Sequence, residues 1–307
     1  YGAKAKRRLT VARIISVSNQ KGGVGKTTTC INLSAFIALY GYKVLVVDID
    51  PQGNTTSGFG IAGEHKENLK NTIYDVMMGD ATVQESVCRT TVPGLDVLPA
   101  TMEFAGADVD LMNLAESREK VLRKALNAVR SDYDYIFIDC PPSLNIFSVN
   151  ALTASDAVLI PMPGDFFSLE GIGQLMNTVK LVKKRLNPGL EIEGVVMTIY
   201  DGRSNLANQV AAEIVKWFGK SVFKTRIPRN VRLGEAPSHG LPVVQYEPTS
   251  KGSVAYMELA VELLRRDGIK VKPLTNLSRY RYRPGMQSVR RQAKPKEKTA
   301  APRDKEQ

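Results

Sequence analysis

Apolar positions along this chain of 307 residues fall into two alternating rhythms. Short unbroken runs rich in Val, Ile and Leu occur at 14–18 (IISVS), 43–48 (KVLVVD), 95–99 (LDVLP), 135–139 (YIFID), 156–161 (DAVLIP) and 192–199 (IEGVVMTI). Between them lie longer segments with helical spacing, at 31–39, 116–130, 168–186, 205–218 and 253–266. In 116–130, for example, Val121, Leu122, Ala125, Leu126 and Val129 share one helical face. Unbroken apolar strands signal burial on both faces, and strand–helix alternation signals parallel pairing through crossovers. The pattern therefore predicts an α/β fold, a mostly parallel doubly wound sheet flanked by helices. Residues 53–63, rich in Gly, Thr and Asn, read as a loop after the second strand.

The rhythm fades at both ends, which divides the chain into a basic arm (1–12), a patterned domain (13–267) and a basic tail (268–307) that reads as disordered. Residues 1–13 hold five Lys/Arg and no acid, and 268–307 hold 12 Lys/Arg against three acids. The net charge is +11, yet 14–267 has 25 basic and 28 acidic residues. Charge so placed implies a polyanionic partner, nucleic acid first and acidic membrane second. In the tail, Tyr280-Arg281-Tyr282-Arg283 interleaves aromatics with arginine, as single-strand contacts do, although a solvated tail is the simpler reading. No run approaches the length of an uncharged membrane span, and 1–13 lacks the apolar stretch of a signal peptide. Cys30, Cys88 and Cys140 show no metal or disulfide spacing, which points to a reducing cytoplasm. His65 and His239, with no catalytic partner in the pattern, read as surface loop residues.

The first strand and first helix are joined by Lys21-Gly22-Gly23-Val24-Gly25-Lys26-Thr27-Thr28. Such a turn lets the backbone approach an anion and aims N–H groups at phosphate oxygens, and the helix N-terminus adds partial positive charge. Lys26 is placed to reach β- and γ-phosphates, and the Thr27 hydroxyl to sit on Mg²⁺. The common spacing G-x-x-x-x-G-K-[ST] asks for glycine at position 20; here Gln20 stands there, followed by a second lysine, Lys21. Asp48 and Asp50 end the second strand in Asp48-Ile49-Asp50-Pro51-Gln52-Gly53-Asn54. Strand C-termini form the ligand crevice of an open α/β sheet, where a carboxylate can hold the attacking water or join the Mg²⁺ shell. Asp139 closes another apolar strand, before Cys140-Pro141-Pro142-Ser143, and suits the Mg²⁺ environment.

With Lys21 in the loop, the Asp-x-Asp-Pro-Gln-Gly-Asn segment and the run from Arg226-Ile227-Pro228-Arg229-Asn230 to Ser238, the chain resembles ParA/Soj-type DNA-partition ATPases, a deviant Walker A group of P-loop NTPases, over about residues 12–267. The resemblance implies ATP and Mg²⁺ as cofactors. It implies that Lys21 reaches the phosphates of a second subunit in an ATP-bound homodimer. Asp50 would orient the attacking water, Thr27, Asp48 and Asp139 would build the metal environment, and Pro228 and Asn230 would line the adenine. The dimer would bind double-stranded DNA nonspecifically through basic side chains, with Arg229, Lys251, Lys216, Lys224 and Arg265 as candidates. A ParB-like centromere-binding partner would stimulate slow hydrolysis and release, placing the protein on the nucleoid of a bacterial cytoplasm. Three other readings are weighed: a MinD-like membrane-surface ATPase, disfavoured by the low apolar content of the tail; an iron-protein-like reductase, for which only Cys88 and Cys140 are candidates; and a DNA-binding transcriptional regulator.

Overall fold

The computed structural model describes residues 11–61, 69–113, 118–165 and 167–284. His65 and residues 285–307 of the tail lie outside them. The chain runs β1 (Arg13–Val17), α1 (Lys26–Leu39), β2 (Val44–Asp48), α2 (Asn54–Gly58), α3 (Ile73–Met78), α4 (Val83–Ser86), β3 (Cys88–Arg89), β4 (Leu95–Leu98), α5 (Ala107–Asn113), α6 (Val121–Asn127), β5 (Tyr135–Asp139), α7 (Ile146–Ala154), β6 (Ala157–Pro163), α8 (Phe167–Arg185), β7 (Glu191–Tyr200), α9 (Asn205–Phe218), β8 (Val222–Pro228), α10 (Val231–Glu235), α11 (Val243–Tyr246) and α12 (Lys251–Arg266).

The strands form one sheet in the order β3-β4-β2-β5-β1-β6-β7-β8, parallel except for the short antiparallel edge β3. Strands β2, β5 and β6 are buried along their whole length, as their unbroken apolar runs require. Core residues from α1 and α12, including Phe36, Tyr256 and Leu263, cover one face. The other face carries α3, α5, α6 and α7 over β2, β4 and β5, and α8 and α9 over β6 and β7. After β1 the chain builds leftward to β2 and β4; after β5 it builds rightward to β6, β7 and β8. The strand order therefore reverses beside β1, and a crevice opens there at the strand C-termini.

Several expected boundaries move. The helix expected over 116–130 is a 3₁₀ turn (Arg118–Lys120) leading into α6, and 114–117 lie outside the described residues. Beyond Asn127 the backbone tightens to i→i+3 bonds, Ala128 to Ala125 and Val129 to Leu126, because Arg130 must meet β1: its carbonyl accepts the Ala12 N–H. The loop expected over 53–63 instead starts with α2, entered through Gly53 at φ 62°. A Cβ on Gly53 would lie 2.9 Å from the Ala100 carbonyl oxygen, so the left-handed turn and the close approach both require glycine. Strands β3 and β8 were not expected; both are sheet edges, where half-exposed residues blur the apolar run.

The expectation of a tail without structure from 268 needs correction. Residues 268–284 fold back over the α1–α12 face through a 3₁₀ turn (Leu277–Tyr280), with Leu277 buried and Ile269, Val271, Leu274 and Tyr280 packed on the core. Arg281 pairs with Glu247 at 2.6 Å, and Tyr280, partly buried, packs against the core. The apolar residues here are sparse and separated by cations, which hides a packing pattern that depends on the surface beneath.

Candidate functional site

The turn from β1 to α1 lies at the reversal point. Gly23 and Gly25 adopt φ of 71° and 88°, and Gly25 caps α1 with its backbone in the left-handed region. Val24 is buried, and its carbonyl accepts the Thr198 hydroxyl at 2.7 Å, tying the loop to the end of β7. Gly22, Gly23, Gly25, Lys26, Thr27 and Thr28 line a cleft of about 830 Å³ with Asp50, Gln52, Asn54, Pro142 and Thr198. Its far wall includes Ile227, Pro228, Arg229, Asn230, Leu233, Pro237 and Tyr256. Pro228 and Asn230 thus face the same cleft as the glycine-rich loop. Asn230 also caps α10, its side-chain oxygen accepting the Arg232 N–H at 3.1 Å.

Lys26 is 6% exposed, and its ammonium donates to the Lys21 carbonyl at 3.0 Å. Burial lowers its pKa, opposed by nearby Asp139, Cys140 and Asp50. A phosphate would supply the counter-charge that this buried ammonium favours. Lys21 bonds both oxygens of Asp165, at 2.7 and 2.8 Å, which holds it at the rim beyond the start of α1.

Asp139 accepts the Thr27 hydroxyl at 2.8 Å and the Thr55 hydroxyl at 2.7 Å, both on Oδ2. Its Oδ1 is buried with no hydrogen-bond partner. Asp48 stands beside it in register across β2 and β5. Desolvation, reinforced by the Asp139 charge, pushes Asp48 up to about 7. Desolvation likewise pushes Asp139 up to about 6, against the hydroxyls of Thr55 and Thr27. Two buried neighbouring carboxylates call for a cation, and the orphaned Oδ1 beside a threonine hydroxyl offers hard oxygen ligands of the kind Mg²⁺ prefers. No group of three or more His, Cys, Asp or Glu side chains that could hold a metal occurs among the described residues. The donor set therefore fits an ion held largely by phosphate, water, the Thr27 hydroxyl and Asp139.

The members of the expected metal set occupy different layers. Thr27 and Asp139 touch each other, whereas Asp48 sits behind the cleft. Asp48 accepts the Thr56 N–H at 2.8 Å, the Thr56 hydroxyl at 2.7 Å and the Asp50 N–H at 3.2 Å, so it shapes the 50–56 turn. Asp50, 8% exposed, lines the cleft and accepts the Gln52 N–H at 3.0 Å. Thr55, Thr56, Asp165 and Tyr256 were not singled out from the sequence. The two threonines follow the Pro-Gln-Gly-Asn segment directly, a legible signal; Asp165 and Tyr256 carry none.

The five candidate DNA-contacting residues do not form one cluster. Arg229 lines the nucleotide-sized cleft. Lys224 and Arg265 line a separate groove of about 1160 Å³ between α9, β8 and α12. Lys216 is exposed and pairs with Glu213 at 2.5 Å. Lys251 opens α12, about 21 Å along the helix from Arg265.

A glycine-rich anion loop at a sheet reversal, a threonine–carboxylate pair and a second lysine together define a P-loop nucleoside-triphosphatase of the deviant Walker A kind. A family profile described as an AAA domain matches residues 12–192. Sporulation initiation inhibitor protein Soj of Bacillus subtilis (strain 168) is 53% identical over 253 residues, 82% of this chain and 98% of Soj. Chromosome partitioning protein ParA of Caulobacter vibrioides (strain NA1000 / CB15N) is 49% identical over 257 residues, 83% of this chain and 95% of ParA. Among solved structures, cobyrinic acid a,c-diamide synthase from Mycobacterium smegmatis, with bound ATP analog and magnesium, superposes with a TM-score of 0.72 at 34% identity over 86% of this chain and 100% of that one. The chain belongs to the ParA/Soj family of chromosome-partitioning ATPases.

Proposed function

We propose that this protein is an ATP-dependent DNA-partition ATPase whose ATP-bound homodimer holds double-stranded DNA and whose slow, partner-stimulated hydrolysis releases it. The observation that carries the reading is the glycine-rich loop with Lys26 buried inside it and Asp50 in the same cleft, with Lys21 at the start of the loop bonded to Asp165. In this reading Lys26 and the loop N–H groups bind the β- and γ-phosphates, and Thr27 and Asp139 hold Mg²⁺ through hydroxyl and water. When bound, Mg²⁺ neutralises charge on the phosphates. Asp50 orients the water that attacks the γ-phosphate, and Pro228 and Asn230 border the base. Lys21 leaves Asp165 to engage the phosphates of the second subunit. That exchange is cheap, because both side chains of the pair are more than a third exposed and such pairs contribute about 0–1 kcal/mol.

DNA contacts through phosphates do not read sequence and weaken with salt. Dimerisation doubles the positive surface, so ATP gates binding. A ParB-like centromere-bound protein is the expected stimulator, on the nucleoid of a bacterial cytoplasm. Among the described residues no helix is long and apolar enough to cross a membrane.

The test is duplex DNA binding with ATP, with ADP, and by Asp50→Ala with ATP. The expected outcome is salt-sensitive binding with ATP, loss with ADP and persistent binding by the variant, which holds ATP without hydrolysing it. Equal binding in both nucleotide states overturns the gating.

A further inference from the structure

Residues 268–284 form a strap whose side chains divide by chemistry. Ile269, Val271, Leu274, Leu277 and Tyr280 pack on the core beneath α1 and α12. Lys270, Lys272, Arg279, Arg281 and Arg283 are exposed, and the segment contains no Asp or Glu. The strap is pinned along its length. The Tyr40 hydroxyl donates to the Lys272 carbonyl at 3.0 Å, and Arg265 donates to the Val271 carbonyl at 3.1 Å. Farther along, the Tyr282 N–H donates to the Gln245 carbonyl at 2.8 Å, beside α11. Five exposed cations are thus carried on a backbone that is packed and pinned. A pinned backbone loses less conformational entropy on binding than a free basic chain does.

We infer that the strap is a second polyanion-binding surface of this protein, and that its partner is the phosphate backbone of duplex DNA. The inference rests on the DNA-binding reading above and adds a contact surface to it. Two features select this partner. The Arg279 guanidinium lies over the Tyr280 ring, 4.6 Å from its centre, which covers that face against a stacking base. The apolar side chains of the strap point into the protein, so no apolar face remains to enter a bilayer. Arg281 is partly engaged by Glu247 at 2.6 Å, which leaves Lys270, Lys272, Arg279 and Arg283 as the principal contacts. An ATP-bound dimer carries two straps.

The experiment compares the full chain with the variant Lys270→Gln/Lys272→Gln/Arg279→Gln/Arg283→Gln, and with its charge-keeping counterpart Lys270→Arg/Lys272→Arg/Arg279→Lys/Arg283→Lys. Affinity for a duplex of arbitrary sequence is measured with ATP and Mg²⁺ across a salt series. Each lost phosphate contact lowers the slope of log K against log salt by about 0.9, so the glutamine variant is expected to lose about 2–4 units of slope for each strap that touches the duplex. The charge-keeping variant is expected to match the unaltered chain, and ATP hydrolysis without DNA is expected to be the same in all three. An unchanged slope in the glutamine variant, while the unaltered chain binds DNA with ATP, overturns this inference and leaves the DNA-binding reading standing. No DNA binding by the unaltered chain overturns both. Loss in the glutamine variant of binding to anionic vesicles, with duplex binding intact, assigns the strap to membrane and also overturns the inference.

Discussion

At the end of β5, Asp139 and its neighbour Asp48 couple buried carboxylate charge to the stability of the nucleotide-free protein. Its usual pKa of 3.8 rises to about 6, and that of Asp48 from 3.8 to about 7, chiefly because burial penalises the charged forms. For groups whose folded pKa is raised, the stabilising contribution is present in full below the unfolded value. It is lost as pH climbs through the folded value. Without nucleotide, the melting temperature is therefore expected to fall between about pH 4 and pH 7 through these two groups. Asp139→Asn removes one of the two charges and keeps an oxygen for Thr27 and Thr55. This variant is expected to melt higher than the parent at pH 8 without Mg²⁺, with a shallower pH slope. Thermal scans across pH check this, and an unchanged slope counts against the assignment. Cys140, buried next to Asp139, has its thiol pushed far up by the same desolvation, so it acts as apolar filler.

At the scale of elements, the crevice depends on β7 reaching the phosphate loop. Thr198 is 1% exposed, its hydroxyl bonds the Val24 carbonyl, and its side chain packs 3.7 Å from where a Gly25 Cβ would stand. The next residue, Ile199, has φ 50°, a left-handed conformation costly for a β-branched residue, and it lines the cleft. The end of β7 is therefore held in a strained turn by its neighbours. Thr198→Val keeps the shape and removes the hydroxyl, leaving a buried carbonyl short of a partner at a cost of about 1–3 kcal/mol. The expected result is nucleotide affinity about tenfold weaker, with a smaller change in unfolding temperature, read by calorimetry and thermal scans. Affinity within twofold of the parent shows that the latch does not position the loop. From the sequence, Thr198 was legible as part of the apolar run 192–199, but its reach to Val24 was not, since the two lie 174 residues apart.

For the whole molecule, the nucleotide is a structural member. The P-loop, Asp50 and Asn54 after β2, Pro142 after β5, the end of β7 and the 226–238 segment all line the cleft, so a ligand there adds contacts between distant parts of the chain. Binding to the folded state at 100 times Kd stabilises by about 2.7 kcal/mol. ATP with Mg²⁺ is expected to raise the melting temperature by several degrees, and a chelator in excess of the metal is expected to remove most of that gain. A chelator-insensitive shift argues against Thr27 and Asp139 as the metal's support. Charge also acts at this scale. Residues 14–170, which hold the glycine-rich loop and the carboxylates of β2 and β5, carry an acidic excess, while 268–284 and both chain ends carry a positive surplus.

The sequence by itself determined the fold class, the phosphate loop, and Asp50 and Asp139 as strand-end carboxylates. These are local signals: an unbroken apolar run, a glycine spacing, a charge closing a strand. Tertiary structure decided what depended on distant surfaces. It set Asp48 behind the cleft on Thr56, gave Lys21 to Asp165, brought Arg229 into the cleft and away from the other candidate DNA residues, and packed residues 268–284 of the expected tail as a strap. Each outcome hangs on a contact between residues far apart in the chain or on a turn whose direction only packing selects, and no local periodicity encodes such contacts.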